Sequence, residues 1–137
     1  QDDKALVFEG YDTLKDTLTM SHELINNLKI SKERMHKMAN EGFTTATDFA
    51  DYLVREKNLT FRESYGISSQ LVNFAEKKGK TLNKISLDEL KKFYKNLDKS
   101  VLEVFDVKNS MNSKNSYGGT SSNNVKKMIK KYKKDTR

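Results

Sequence analysis

Cysteine is absent from this chain of 137 residues, and histidine occurs only at His22 and His36. The lack of thiols excludes disulfides and thiolate chemistry. Two isolated imidazoles, without neighbouring cysteines or paired carboxylates, provide few ligands for zinc. We therefore expect no metal site, and only structural or surface roles for the two histidines. The absence of cysteine also fits a cytoplasmic location.

Long apolar runs are absent as well. No segment approaches the roughly 18 apolar residues that a membrane span needs, and the start of the chain does not resemble a secretory signal. We therefore expect a soluble protein that has no membrane partner and is not exported.

Strand patterns are the third absence, because period-two runs of β-branched residues bounded by turn residues hardly occur. Apolar residues recur instead at helical spacing. The chain is 35% hydrophobic and 33% charged, as in a small helical domain with polar outer faces. The sequence thus predicts an all-α fold with one domain, or one domain and an arm.

The segment from Ala5 to Leu28 predicts a long helix. Its apolar seam is spaced alternately by four and three residues, which is typical of a helix packed in a bundle. A seam of this length needs partner helices, so we expect part of it to be exposed and to favour self-association or partners outside this chain. The seam comprises Val7, Tyr11, Leu14, Leu18, Ser21, Ile25 and Leu28.

Two capping boxes mark later helix starts. Thr60 with Glu63, and Ser86 with Glu89, place a hydroxyl and a carboxylate three residues apart, where each satisfies the other's backbone N–H. The first box predicts a helix to Gly79, and the second a helix through Tyr94. The other predicted helices span residues 32–40, 45–58, 99–105 (a short helix or turn) and 107–115, and a last one is capped by Ser121 or Ser122.

The net charge of +7 is concentrated at one end of the chain. Residues 126–137 contain seven basic residues and one acid, so the rest is nearly neutral. Lysines opposite an apolar face suit phosphates or an anionic surface, but the arginine–aromatic interleaving of base-stacking proteins is missing. We therefore expect a solvated helix docked by its apolar face, without a nucleic-acid partner. That face comprises Val125, Met128, Ile129 and Tyr132.

The turn at Gly118 and Gly119 leads into this last helix. A glycine turn before a helix N-terminus presents amides that suit an anion. Its spacing matches neither a P-loop nor a dinucleotide fingerprint. A plain connection between two helices is the favoured interpretation.

Residues 42–66 read GFTTATDFADYLVREKNLTFRESYG. In its order of caps, apolar positions and charges, this segment resembles the C-terminal domain of the argininosuccinate lyase family. It shares the family's Thr-Ala-Thr-Asp helix start and Ala-x-Tyr-Leu-Val-Arg body, and departs from the pattern at Thr60, in place of a proline, and at Tyr65, in place of a histidine or its neighbour. Further segments similar to the family, in order and spacing, are residues 75–79, 86–90, 101–104, 109–110 and 116–120.

The resemblance implies an architecture. The family belongs to the fumarase and aspartase superfamily of homotetrameric lyases, in which long helices from four subunits form a central bundle. By this resemblance, residues 1–29 are the C-terminal part of a central-bundle helix. Residues 30–137 are then a helical C-terminal domain that ends in the basic helix.

The resemblance also implies a substrate-binding segment at the start of the chain. Gln1, Asp2, Asp3 and Lys4 are similar to the family's Gln-Glu-Asp-Lys, with Asp2 in place of the usual glutamate. The glutamine and lysine of that segment contact the substrate in the family, so Gln1 and Lys4 are expected to bind substrate here. Residues three apart share a helix face, and an ammonium with an amide suits a substrate that carries several carboxylates.

The implied activity is the cleavage of argininosuccinate to arginine and fumarate in arginine biosynthesis, without a metal or organic cofactor. In the family the base is a serine on a mobile Gly-Ser-Ser loop, and a histidine acts nearby. Both lie upstream of the segment that Gln1 opens, and this chain, which starts without a methionine, contains neither. We therefore expect a piece of the enzyme that holds no catalytic residue and is inactive alone.

Two alternative interpretations stay open. One is a stand-alone helical interaction module that shares this fold and whose basic tail binds nucleic acid. The other is a relative of the same family specialised for another succinyl substrate, since the superfamily uses one fold for several substrates.

Overall fold

The computed structural model describes residues 2–135. All regular secondary structure in this part of the chain is helical, which confirms the predicted all-α fold. None of these helices is long and apolar enough to cross a membrane. The α-helices are α1 (Asp2–Asn26), α2 (Lys32–Glu41), α3 (Ala46–Lys57), α4 (Phe61–Lys77), α5 (Leu87–Leu90), α6 (Val107–Ser113) and α7 (Ser122–Asp135), and two 3-10 helices span Leu82–Lys84 and Lys99–Phe105.

The chain divides into two compact units, which we call the N-terminal unit (up to Glu33) and the C-terminal unit (from Arg34). The N-terminal unit consists mainly of α1, which spans Asp2–Asn26 where the sequence predicted Ala5–Leu28. All of its described residues are exposed to solvent. Local hydrogen bonds, such as that from the Asn27 side-chain amide to the Glu23 carbonyl at 2.8 Å, close its end.

The C-terminal unit is built on α3 and α4, which a tight turn connects. Asn58 ends α3 with a left-handed φ of 55°, a conformation that asparagine adopts more readily than most residues. The predicted capping box then starts α4. The Thr60 hydroxyl accepts from the Glu63 N–H, and the Glu63 carboxylate accepts from the Thr60 N–H at 2.9 Å. Both caps are local, so the turn follows from the sequence around it.

The core lies between α3, α4 and the shorter helices that follow them. Phe49 and Phe105 pack with their ring centroids 5.4 Å apart. The Ser68 hydroxyl donates to the Ala46 carbonyl at 2.6 Å and so links α4 to the start of α3. The buried apolar side chains of this core are Phe49, Tyr52, Leu53, Leu71, Ala75, Leu82, Ile85, Leu90, Leu97, Val101 and Phe105.

The second capping box is also confirmed, but the helix that it starts is shorter than predicted. The Ser86 hydroxyl accepts from the Glu89 N–H, and α5 then ends at Leu90 instead of continuing through Tyr94. Beyond Leu90 the chain continues in turns, in which the Phe93 N–H donates to the Leu90 carbonyl. The Phe93 ring packs edge-on against Phe74, with centroids 5.3 Å apart. The local propensity of the sequence favours a longer helix. In the structure, the helix ends early and Phe93 packs against Phe74 instead.

The segment after α5 continues with the 3-10 helix Lys99–Phe105, where the sequence predicted a short helix or turn, and with α6. Asp98 and Asp106 accept backbone N–H groups at the starts of these two elements. The sequence did not predict the 3-10 helix Leu82–Lys84. Ser121 is buried and its hydroxyl accepts weakly from the Asn124 N–H, so α7 starts where it was predicted.

Candidate functional site

The substrate-binding residues implied by the resemblance are Gln1 and Lys4. Gln1 lies outside the described residues. Lys4 lies in the first turns of α1, and its side chain is exposed. The structure therefore gives Lys4 an accessible ammonium at one end of a long helix, and it leaves the pairing of the two residues as a prediction.

The apolar seam of α1 is uncovered. Its side chains are between 59% and 66% exposed, as for Leu14 (59%) and Val7 (66%). No residue of α1 is buried. A continuous apolar stripe on a long helix is unusual on a monomer surface and is typical of helices that pack against other helices.

One concave surface of the C-terminal unit is a groove with a volume of about 480 Å³. It lies between α3, the 3-10 helix Lys99–Phe105 and α6. We call it the polar groove, because most of its lining side chains end in a charge, a hydroxyl or an amide. The lining residues are Asp48, Tyr52, Arg55, Glu56, Ser100, Glu103, Val104, Asn109, Ser110 and Ser113.

Asp48 lies on the α3 side of the polar groove and is largely buried, with 13% of its side chain exposed. Its carboxylate accepts a hydrogen bond from the Ser110 hydroxyl at 2.6 Å and forms an ion pair with Lys114. Burying a carboxylate is costly unless it is paired and hydrogen-bonded. These contacts meet that requirement and fasten α6 to α3.

A second network involves Tyr52 and Ser100 of the same groove. The Tyr52 hydroxyl and the Ser100 hydroxyl are 3.1 Å apart, and Asp98 accepts from the Ser100 N–H at 2.9 Å and from Lys57 at 3.0 Å. The Ser100 hydroxyl and the Lys57 ammonium hold the pKa of Asp98 well below its usual range. The hydrogen bond to Asp98 in turn raises the pKa of Lys57. Asp98 therefore remains a carboxylate at neutral pH and orders the rim.

Glu89 forms the third charged cluster of the C-terminal unit. Its carboxylate accepts from the Ser86 N–H, from Lys78 and from Lys80, at 3.0, 3.0 and 3.1 Å. The backbone hydrogen bond from Ser86, followed by those from the two lysines, lowers the pKa of Glu89 to about 2. This cluster lies at a helix start and serves to hold α5 against the end of α4.

The two histidines lie on exposed surfaces. His22 contacts the side-chain amide of Asn26, and His36 that of Asn40. Each of these contacts joins residues one helical turn apart. In the part of the chain that the structure describes, there is no group of three or more His, Asp or Glu residues able to hold a metal ion.

The basic helix α7 differs from its prediction in one respect. Its apolar face was expected to be docked, but its side chains are about half exposed, from 43% at Val125 to 58% at Tyr132. At the first turn of α7, the Asn124 side-chain amide donates to the Ser116 carbonyl at 2.7 Å and the Ser122 hydroxyl donates to Asn112 at 3.0 Å. Polar contacts thus anchor the start of the helix, while the side chains of its apolar face remain about half exposed.

Sequence reasoning did not find the polar groove. Its residues come from three segments, and Asp48 and Ser110 are 62 positions apart. Each is an ordinary polar residue of a helix surface when it is considered alone. Only the packing of α6 beside α3 brings them together.

Comparisons with known proteins relate this chain to argininosuccinate lyases. Residues 43–112, about half of the chain, match the family described as argininosuccinate lyase C-terminal. The argininosuccinate lyase of Pelagibacter ubique is 50% identical over 134 residues, which is 98% of this chain and 29% of that protein. The argininosuccinate lyase of Ehrlichia chaffeensis is 38% identical over 133 residues, which is 97% of this chain and 28% of that protein.

Solved structures agree with this relationship. A variant of EDDS lyase with bound fumarate aligns with 76% of this chain and 22% of its own, with a TM-score of 0.71 and 28% identity. EDDS lyase in complex with formate aligns with 73% of this chain, with a TM-score of 0.68 and 29% identity. The chain therefore spans less than a third of the proteins that it matches. Because the family match and the relatives together account for nearly all of its described residues, the chain belongs to the argininosuccinate lyase family and corresponds to the C-terminal portion of that family.

Proposed function

We propose that this chain is the C-terminal part of an argininosuccinate lyase, which cleaves argininosuccinate to arginine and fumarate in cytoplasmic arginine biosynthesis. The observation that carries the proposal is the 50% identity to an argininosuccinate lyase over 134 residues. The fumarate bound to a related EDDS lyase variant supports the same chemistry. The elimination needs a base, an acid for the leaving nitrogen, and cationic or hydrogen-bonding groups that hold the developing charge on a carboxylate.

In this proposal Lys4 and Gln1 are among the cationic and hydrogen-bonding groups that hold a carboxylate of the substrate. The Lys4 ammonium, near the start of α1, and an amide such as that of Gln1 suit a carboxylate of the substrate. The exposure of Lys4 supports this assignment, because a substrate-binding cation has to be accessible. In this proposal both residues bind substrate and neither one transfers the proton.

The uncovered seam of α1 supports a tetramer. In the proposed assembly, α1 is the C-terminal part of a central-bundle helix in residues 1–29, and helices of other copies cover its apolar side chains. Residues 30–137 form the helical domain that follows this helix in the sequence. Burying side chains of the size of Leu14 and Leu18, now about 60% exposed, favours assembly by roughly 1 kcal/mol or more for each residue.

The chain alone is proposed to be inactive, because its 137 residues hold no counterpart of the family's serine loop or catalytic histidine. The test is a chimera in which this chain replaces the matching segment of the Pelagibacter ubique argininosuccinate lyase. We expect the chimera to release fumarate from argininosuccinate, and the isolated chain to release none. A folded, tetrameric chimera without activity would contradict the proposal, as would fumarate release by the isolated chain.

The role of Lys4 is tested in the same chimera. Lys4→Gln removes the charge, and we expect kcat/KM to fall by roughly tenfold to a hundredfold, the range for a hydrogen bond to a charged group. Lys15→Gln is the matched control, because Lys15 is also an exposed lysine of α1. Equal effects of the two variants would remove Lys4 from the substrate site.

The helical interaction module is retained as a second candidate because the apolar face of α7 is open and six lysines lie in this helix. If α7 bound nucleic acid, affinity for a DNA duplex would fall steeply with salt. A binding signal that is flat in salt, or no binding at low salt, would exclude this candidate.

A further inference from the structure

The proposed lyase function assigns no role to the residues of the polar groove. We propose that it binds a basic amino acid, which is a zwitterion with a second cationic group on its side chain. The proposal rests on the size, the polarity and the charge balance of the groove, and it does not depend on the lyase activity.

The first argument is size. A volume of about 480 Å³ lies within the range of roughly 300–1,000 Å³ that is usual for small-molecule sites. The groove belongs entirely to the C-terminal unit, with walls from α3, the 3-10 helix Lys99–Phe105 and α6.

The second argument is that the groove is held in shape by internal contacts. Tyr52, 6% exposed, lies against Ser100, which Asp98 fixes in turn. Asp48 is held by Ser110 and Lys114. Groups that are already positioned lose little conformational entropy when a ligand binds.

The third argument is the balance of the charges that remain. Asp48 is neutralised by Lys114. The other charged residues of the lining are Arg55, Glu56 and Glu103, which are exposed and have no part in the ion pairs found among the described residues. The rim therefore offers one guanidinium and two carboxylates to a ligand.

This balance matches the charges of a basic amino acid. The α-carboxylate is the partner for Arg55, since a guanidinium binds carboxylates through paired hydrogen bonds. The α-ammonium and the side-chain cation are the partners for Glu56 and Glu103. A neutral amino acid would leave one rim carboxylate without a partner, and a diamine would leave Arg55 without one. The hydroxyls of Ser100, Ser110 and Ser113 donate to Asp98, Asp48 and the Ser110 carbonyl, so towards a ligand they act as acceptors, which suits its cationic groups.

The test is an NMR titration of the full chain with three probes of nearly equal size. L-arginine carries all three charges, L-citrulline lacks the side-chain cation, and agmatine lacks the carboxylate. We expect L-arginine to shift the backbone amides of Ser100, Ser110 and Ser113, and each of the other two probes to bind several times more weakly. No shifts in the groove, shifts confined to α1 near Lys4, or equal binding of L-citrulline would overturn the proposal.

Two variants assign the charges. Glu103→Gln should weaken L-arginine about fivefold, as expected for a partly exposed ion pair. Arg55→Gln should weaken L-arginine by a similar factor and leave agmatine unchanged. Glu76→Gln is the control, because Glu76 is an exposed glutamate of α4 outside the groove lining. If Glu76→Gln weakened binding as much as Glu103→Gln, the effect would come from overall charge and the site would be rejected.

The proposed lyase function and this site fail separately. The titration measures binding to a chain that needs no catalytic residue, and the chimera measures fumarate release. An active chimera whose groove binds nothing would contradict the groove proposal alone. A groove that binds L-arginine in an inactive, folded chimera would contradict the lyase proposal alone.

Discussion

Helix α1 and the helix pair α3–α4 carry apolar residues at similar helical spacing, yet they differ in what covers those residues. In α1 the seam side chains are about 60% exposed. In α3 and α4, Phe49, Leu53 and Leu71 are almost completely buried. The spacing predicts that a helix has an apolar face, but the supply of a partner depends on the rest of the fold. The C-terminal unit contains its own partners, whereas α1 presents a surface suited to other helices.

The largest expected difference between the two regions is in the free energy of unfolding after matched leucine-to-alanine substitutions. Leu53→Ala should lower the free energy of unfolding of this chain by about 2–5 kcal/mol, because it opens a cavity in a packed core. Leu14→Ala should change it by about 0.5 kcal/mol or less in the monomeric chain, because this side chain is largely exposed there. Urea unfolding followed by circular dichroism measures both changes. Equal losses would show that α1 is covered in the isolated chain.

Alanine substitutions at two glycines, one in each unit, should change the stability by an intermediate amount. A Cβ at Gly119 would lie 2.2 Å from the Lys114 carbonyl oxygen, so Gly119→Ala should cost about 1–3 kcal/mol and loosen the start of α7. Gly10→Ala in α1 meets nothing within 4 Å and should stabilise the helix by about 0.5–1 kcal/mol.

The readouts for the two glycines are thermal unfolding and amide hydrogen exchange in α7. Gly66→Ala is the control in α4, since a Cβ at Gly66 also has open space. A Gly119→Ala variant as stable as Gly66→Ala, with unchanged exchange in α7, would contradict the close backbone approach.

The smallest effect is a pH dependence that separates the units. The folded-state pKa of Glu89 is lowered from 4.5 to about 2, so its stabilising contribution is present above pH 4.5 and is lost as the pH falls towards 2. Glu89→Gln should therefore be less stable than the parent near neutral pH, and its stability should fall less steeply with acid. Urea midpoints between pH 6 and the acid limit of folding, roughly pH 2, measure this difference. Glu9→Gln, which removes a carboxylate from the exposed surface of α1, is the control for the loss of one negative charge. A Glu89→Gln curve parallel to the parent would contradict the assignment.

Local signals predicted the helix starts well. Thr60 with Glu63 and Ser86 with Glu89 form the expected capping boxes because the partners are three residues apart and need no distant contact. The predicted end of α5 lay too far along the chain. Local propensity favoured a helix through Tyr94, but beyond Leu90 the chain forms turns in which Phe93 packs against Phe74. The apolar face of α7 shows a related limit. The pattern of residues 125–132 predicts an amphipathic helix, but it does not determine whether another part of the chain covers the apolar face.

The sequence by itself determined the helical class, the capped helix starts and the membership in the argininosuccinate lyase family, because these depend on residue types at short spacing and on their order along the chain. The tertiary structure decided which apolar faces are covered and where the polar groove forms. Asp48 and Ser110 meet only when α6 packs beside α3. Contacts between residues 62 positions apart depend on packing and chain geometry, and no local pattern encodes them.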